Sequence, residues 1–232
     1  MIDFTSRGAR FLRRKKRAAP RYYCDYAAAT PVLPAVAERM HAIQRTVFAN
    51  PSAMHTDGHT ARQLVEDARR DIARSLEIRP EEVVFTASGS EANNLALLGV
   101  IEAKHAAGTP YADMRVITTA LEHPSVLQVV EQLAARGVDV QYVPVDDTGK
   151  IVLAELEVLL TPPTVLVAFA DANSEVGTVQ PVRRLVRTIK KKQPTALVHL
   201  DAAQAPLWLR CGRNALGVDV LSLDAGKCNG PK

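Results

Sequence analysis

The stretch that decides the fold is Thr164-Val165-Leu166-Val167-Ala168-Phe169, followed by a helical pattern over 181–192 and then by Ala196-Leu197-Val198-His199-Leu200. Two short, continuously apolar, β-branched runs on either side of one amphipathic helix make a strand–helix–strand unit. Runs without apolar/polar alternation belong to strands covered on both faces, which is the condition of a parallel sheet. Working outward, the same rhythm recurs. Helical periodicity fits 33–47, 58–77, 91–107, 123–136 and 151–160, and strand-like runs fit 82–86, 115–119, 139–143 and 219–223. Turn signals stand between them at Asp147-Thr148-Gly149, Thr161-Pro162-Pro163 and Gly212-Arg213-Asn214. The fold class expected is α/β, a mostly parallel sheet sandwiched by helices.

Composition removes several classes of function. The chain has 232 residues, 47% hydrophobic and 23% charged, which is ordinary for a globular protein and enough to bury a core. No apolar run approaches the ~20 residues of a membrane-spanning helix. Three scattered cysteines make no disulfide framework or metal spacing, and suit a reducing compartment such as the cytoplasm. The net charge of +4 is unevenly spread. Residues 1–21 hold eight Lys/Arg against one Asp, which leaves 21 basic and 24 acidic residues in 22–232. The body is therefore mildly acidic and the basicity sits in a 21-residue extension. That extension has no apolar stretch of a secretory signal. It is read as a solvated, disordered arm, in preference to an organellar leader or a phosphate-seeking one. No interleaving of aromatic and basic residues supports nucleic-acid binding by the core.

In open α/β sheets ligands bind outside the carboxyl ends of the strands, so the residues that follow each strand run are the candidates. These are Ser88-Gly89-Ser90-Glu91, Glu122-His123, Asp171-Ala172-Asn173, Asp201-Ala202-Ala203-Gln204 and Asp224-Ala225-Gly226-Lys227. Ser88 and Glu91 have capping-box spacing, and the small residues between them leave backbone N–H groups open to an anion. A plain helix cap explains them equally well on their own. Lys227, flanked by small residues, is either a solvated amine or one held in a pocket to form a Schiff base with a carbonyl cofactor. Asp201 follows an apolar strand, and its buried carboxylate calls for a cationic partner. Either it caps the next helix or it faces a protonated pyridine nitrogen. His123 starts a helix with Pro124 at the first position, or stacks on a ring. Jointly, an anion cradle, a stacking imidazole, an acid for a pyridine nitrogen and an amine on one sheet edge make the set required by pyridoxal phosphate.

The residues that carry this set resemble the cysteine desulfurases of the class V aminotransferase group. The matching segments are Asp25–Pro31, Asn50-Pro51-Ser52 with His55, Phe85–Asn94, Glu122-His123, Asn173–Gln180, His199–Gln204, and Lys227 ahead of Gly230-Pro231-Lys232. The resemblance covers nearly all of 22–232 and implies the large domain of a fold-type I pyridoxal phosphate transferase, expected to be incomplete at its C-terminus. It implies that Lys227 binds the cofactor covalently, that His123 stacks on its ring and moves protons, and that Asp201 pairs with the ring nitrogen. It further implies that Gln204 bonds the ring hydroxyl, Gly89 and Ser90 hold the phosphate, and Asn173 lies beside cofactor and substrate. The implied reaction takes sulfur from L-cysteine, leaving alanine and an enzyme persulfide. That sulfur passes to a sulfur-acceptor or scaffold protein for iron–sulfur clusters or tRNA thiolation, and the implied assembly is a homodimer.

Relatives within the group, a selenocysteine lyase or an aminotransferase, share these segments. A non-catalytic cofactor-binding remnant is the reading from another class. Two positions depart from the family pattern: Asp224 stands where a hydroxyl residue is usual and Gly226 where a histidine is usual, so that either the cofactor is held less tightly or its phosphate is held differently. Family chains continue past the position of Lys232 with the persulfide cysteine and an arginine for the substrate carboxylate. The 232 residues are accordingly expected to be the N-terminal part and inactive alone. None of Cys24, Cys211 and Cys228 is assigned the persulfide.

Overall fold

The computed structural model describes residues 21–232, so all but the last residue of the 21-residue extension lies outside the described residues. Helices α1 (Pro34–Thr46), α2 (Thr56–Leu76) and α3 (Gly89–Ala106) come first. Five strands then alternate with helices: β1 (Arg115–Thr118), α4 (Pro124–Ala135), β2 (Asp139–Tyr142), α5 (Leu153–Leu159), β3 (Thr164–Ala170), α6 (Val182–Lys192), β4 (Leu197–Asp201), α7 (Arg213–Leu216) and β5 (Val220–Ser222). The sheet is five-stranded in the order β2-β1-β3-β4-β5, and every pairing is parallel.

The apolar strand runs do what their composition requires. Along β3, Leu166 and Ala168 enter a core shared with Leu97 and Ile101 of α3 and Val126, Val129, Val130 and Leu133 of α4. Their neighbours Val167 and Phe169 point the other way, into a core with Leu156 of α5 and Leu185, Val186 and Ile189 of α6. Side chains alternate between the faces of a strand, so a strand apolar at every position must have a helical layer on each side. In α6 the buried residues are Val182, Leu185, Val186 and Ile189, the spacing of one helical stripe. A glycine is required at Gly58 in α2, where a Cβ would come within 2.4 Å of the Ala53 carbonyl oxygen.

Five of the six expected strands form. The run 82–86 does not. Pro80–Glu82 is a turn of 3-10 helix, the Val83 N–H bonds the Pro80 carbonyl, and residues 83–87 have no ladder partner among the described residues. Glu82 accepts from the backbone N–H of Arg79 and from the Arg213 guanidinium, which closes the turn. Val84 and Phe85 are left exposed, with the Arg69 guanidinium 4.9 Å above the Phe85 ring. The segment's apolar content is genuine, but no described neighbour pairs with it. The turn expected at 212–214 becomes the start of the short helix α7.

Candidate functional site

The strand order places a crevice. From β1 the chain goes outward to β2 and returns to β3 on the other side of β1, and ligand sites lie at the carboxyl ends of strands where the order reverses. Here the β1 end delivers Glu122 and His123 and the β3 end delivers Asp171 and Asn173. The Asn173 amide donates to the Leu121 carbonyl at 3.2 Å and ties the two loops together. Its Oδ1 accepts from the N–H groups of Glu175 and Val176. A cavity of about 450 Å³ opens between these loops, lined by His123, Glu122, Asn173 and the 145–149 turn.

His123 is the N-cap of α4, and its Nδ1 accepts the Ser125 N–H at 3.1 Å. The same ring nitrogen lies 2.8 Å from the Ser125 hydroxyl. Asn93, buried in α3, donates from one amide nitrogen to Ser125 Oγ at 2.9 Å and to Asp201 Oδ2 at 2.7 Å. With both Asn93 protons used, the Ser125 hydroxyl proton points to His123 Nδ1. That pattern assigns the neutral imidazole proton to Nε2. A continuous chain of hydrogen bonds therefore joins His123, at the end of β1, to Asp201, at the end of β4.

Asp201 is 7% exposed. Its Oδ1 takes the Ala203 N–H at 3.0 Å, and no cationic side chain among the described residues pairs with it. Beside it in β4, His199 is fully buried, with Nε2 2.9 Å from the Ser222 hydroxyl and Nδ1 without a partner. Burial drives its pKa down to about 4, against the pull of the Asp201 charge, so the ring is neutral. Glu122 is buried too. Its Oε1 accepts the Thr119 hydroxyl at 2.6 Å and its Oε2 has no partner. Burial, with the Asp201 charge adding to it, raises its pKa to about 7.

At the neighbouring strand end, α3 starts at Gly89 with Ser88 as its cap, whose hydroxyl accepts the Glu91 N–H at 3.1 Å. Glu91 closes back on the Ala87 N–H, one residue earlier than a standard capping box. The cap reading and an open helix N-terminus at Gly89-Ser90 therefore coexist. The loop after β5 folds against it. Asp224 caps a 3-10 turn over Ala225–Lys227 by accepting the Gly226 N–H at 2.9 Å. Its other oxygen lies where a Cβ on Gly89 would be 3.3 Å away. Thr30 pins this loop from almost two hundred residues earlier. Its N–H and hydroxyl both donate to the Gly226 carbonyl, and its hydroxyl accepts the Asn229 N–H at 2.7 Å. The Gln204 amide donates to the Ala27 carbonyl at 2.8 Å. The Lys227 side chain is half-buried, and no hydrogen bond or ion pair holds its ammonium among the described residues.

The structure thus links His123 to Asp201, sets Gly89 and Ser90 beside the Asp224–Lys227 turn, and ties Gln204 and that turn to the segment 27–30. Asn173 joins His123 on the separate cavity between the β1 and β3 loops. Asn93 and Thr30 lie inside the matching segments without an assigned role, and Ser125 lies outside them. Asn93 had a signal: it stands four and eight residues before Leu97 and Ile101 on the buried stripe of α3. A polar residue at a core position requires a partner.

Residues 22–232 match the class-V aminotransferase family. The chain belongs to that family. It is 35% identical to a cysteine desulfurase of Dictyoglomus turgidum, over 90% of this chain and 52% of that one. It is 36% identical to a putative cysteine desulfurase of Bacillus subtilis, over 91% of this chain and 54% of that one. The chain thus spans about half the length of the curated relatives it matches. Among solved structures, a NifS-like protein superposes with a TM-score of 0.87 at 38% identity, covering 92% of this chain and 57% of that one. A structure titled SspA in complex with cysteine gives 0.84 at 36% identity, covering 90% and 58%.

Class-V aminotransferases are pyridoxal phosphate proteins, and the residues present fit that cofactor at its ring end. Asp201 is a buried carboxylate with two neutral donors and no cation, which suits a protonated pyridine nitrogen. The phosphate end fits less closely, because the Asp224 carboxylate lies against the Gly89 end of the cradle. The persulfide chemistry that the sequence resemblance implies would call for a thiolate. Burial pushes the Cys211 thiol up to about 11 and raises Cys228 as well, while Cys228 Sγ lies against the carbonyls of Asp224 and Ala225. Neither has the environment of an activated nucleophile. No helix among the described residues is long and apolar enough to cross a membrane.

Proposed function

We propose that residues 22–232 are the cofactor-binding large domain of a pyridoxal phosphate-dependent cysteine desulfurase. The observation that carries this reading is the chain from His123 through Ser125 and Asn93 to Asp201. It terminates in a buried acid without a cation at one end and an oriented imidazole at the other. In this reading Lys227 holds the cofactor covalently, and Gly89 and Ser90 hold its phosphate at the α3 N-terminus. Asp201 keeps the ring nitrogen protonated, Gln204 bonds the ring hydroxyl and Asn173 orients the substrate. When bound, the cofactor supplies an electron sink for the bonds at the substrate's amino-bearing carbon. His123 would stack on the ring, and Ser125 keeps Nδ1 as the acceptor so that Nε2 carries the proton. Its imidazole exchanges a proton at Nε2 while the Asn93 network stays fixed.

L-Cysteine as substrate is supported by the names of the relatives and by the neighbour solved with cysteine. A sulfur-acceptor or scaffold protein and a homodimeric assembly complete the proposal, with three unpaired cysteines favouring the reducing cytoplasm. The test is titration of the chain with pyridoxal phosphate, followed in the visible spectrum. The expected result is a lysine-bound absorption band that vanishes in Lys227→Ala. A band that survives this change refutes the assignment. Asp201→Ala is expected to weaken retention of the cofactor, and unaltered retention would count against the ring-nitrogen role.

A further inference from the structure

Helix α6 carries Arg183, Arg184, Arg187, Lys190, Lys191 and Lys192 and no acidic residue. Residues 22–232 as a whole have three more acids than bases, so this concentration runs against the rest of the body. Lysines in the last turn face the negative end of the helix dipole and are stabilised there. The arginines in the first half are not. Arg183 and Arg187 are four apart, Arg184 and Arg187 three apart, and like charges at these spacings destabilise a helix. Helix α2 of the same protein handles its arginines otherwise: Arg69, Arg70 and Arg74 each pair with an acid three residues earlier. In α6 only Lys190 has an ion-pair partner among the described residues, Asp219.

The unpaired arginines surround a groove. A depression of about 420 Å³ is rimmed by Arg183, Arg184, Arg187 and Arg210, with Leu209 and Leu216 in its lining. All four arginines are exposed, while both leucines are half-buried. Asp171 reaches the same groove, and burial alone raises its pKa to about 6. A small anion sinking to the floor would meet that carboxyl. An extended chain lying across the rim would meet the guanidinium groups and set an apolar side chain on the leucines.

We propose that this groove is a docking surface for an acidic peptide segment of a partner protein, with carboxylates on the arginines and an aliphatic side chain over Leu209 and Leu216. Charge complementarity selects the sign of the partner. Arginine selects carboxylate geometry, since its guanidinium pairs with a carboxylate through two parallel bonds. The apolar lining selects a peptide over a nucleic acid, because the groove offers no aromatic side chain for a base to stack on. The surface is independent of the cofactor reading, as none of its residues belongs to the Lys227 site.

The test uses the full chain and a fluorescein-labelled twelve-residue probe of Asp, Glu and Leu, read by fluorescence anisotropy. A second probe of equal charge has Ser in place of Leu. Residues 1–21 are basic as well and bind both probes by charge alone, so the differences are what count. Arg184→Glu/Arg187→Glu is expected to weaken the leucine probe at least tenfold, and the serine probe is expected to bind the unaltered chain several-fold more weakly. Arg70→Glu on α2 is expected to change neither. If the double reversal perturbs the circular dichroism, Arg184→Gln/Arg187→Gln replaces it with the same expected direction. Equal affinity of the variants and the unaltered chain overturns the proposal. So does indifference to the leucines, or tighter binding of a single-stranded oligonucleotide of equal charge that depends on the same arginines.

Discussion

Replacing Glu122 by Gln should stabilise the protein above neutral pH and leave it no more stable in acid. Glu122 is 7% exposed, and one of its oxygens has no partner. Its pKa of about 7 in the fold compares with an ordinary 4.5, a gap worth about 3 kcal/mol at ~1.36 kcal/mol per pH unit. The sign follows from linkage. The folded state holds the proton more tightly than the unfolded chain, so its stability is intact below the unfolded pKa of 4.5 and is lost as pH rises through about 7. Glutamine is neutral throughout, keeps an oxygen for the Thr119 hydroxyl, and places an amide where Oε2 stands alone. That orphan amide costs about 1 kcal/mol at every pH. The net expectation is a gain of about 2 kcal/mol at pH 8, which turns into a loss of about 1 kcal/mol at pH 4.5. Urea unfolding followed by circular dichroism at pH 4.5, 6.5 and 8 measures it, and other titrating groups largely cancel between the two proteins. A difference that does not change with pH would mean that Glu122 is ionised in the fold and that burial is not the controlling cause.

Three other outcomes follow from the geometry. Asp224→Ser removes a carboxylate from beside Gly89 and should tighten pyridoxal phosphate about tenfold, or ~1.4 kcal/mol, in an absorbance titration; an unchanged Kd would show that the carboxylate does not oppose the phosphate. Ser125→Ala should cost about 1–3 kcal/mol in urea unfolding as Asn93 loses a partner, while the imidazole ¹⁵N shifts of His123 should keep the Nε2–H pattern, because the backbone N–H of residue 125 still donates to Nδ1. A switch of the ¹⁵N shifts to the other tautomer would show that the hydroxyl, and not the backbone N–H, sets the proton. Iodoacetamide at pH 7.5 should label exposed Cys24 first and Cys211 last, since burial raises the Cys211 thiol to about 11; mass spectrometry that finds Cys211 modified early would contradict its burial.

The legible part of the fold was the part written in side-chain periodicity. Strand β3 could be read because the unbroken apolar run that follows Thr164 must satisfy a core on each face. Helix α4 could be read because Pro124 and His123 mark its start while Val126, Val129, Val130 and Leu133 mark its stripe. The run 82–86 has the same composition as a strand, yet strand formation needs a neighbour that one segment cannot specify. That Asp201, His123 and Lys227 follow strand ends was legible for a topological reason: a parallel sheet gathers those ends on one edge. Asn93 and Ser125 lie inside helices, where that argument does not reach.

Their burial explains what joins the two halves of the site. A buried carboxylate such as Asp201 with no cation beside it is costly, and neutral donors offset only part of that cost. Here the donors are the Asn93 amide and the Ala203 N–H, and the Asn93 amide nitrogen also bonds Ser125. Packing alone would favour an apolar residue at position 93, next to Leu97 and Ile101 on the α3 stripe. The polar residue persists at a core position because one side chain serves both the β4 acid and the α4 cap. Any change in the angle between α3 and the sheet therefore alters Asp201 and His123 together. The Lys227 turn is held differently, by Thr30 on the Gly226 carbonyl and the Asn229 N–H, outside both apolar cores. The acid and the imidazole are thus fixed by the core of the domain, while the amine rides on a loop whose position depends on the segment that precedes α1.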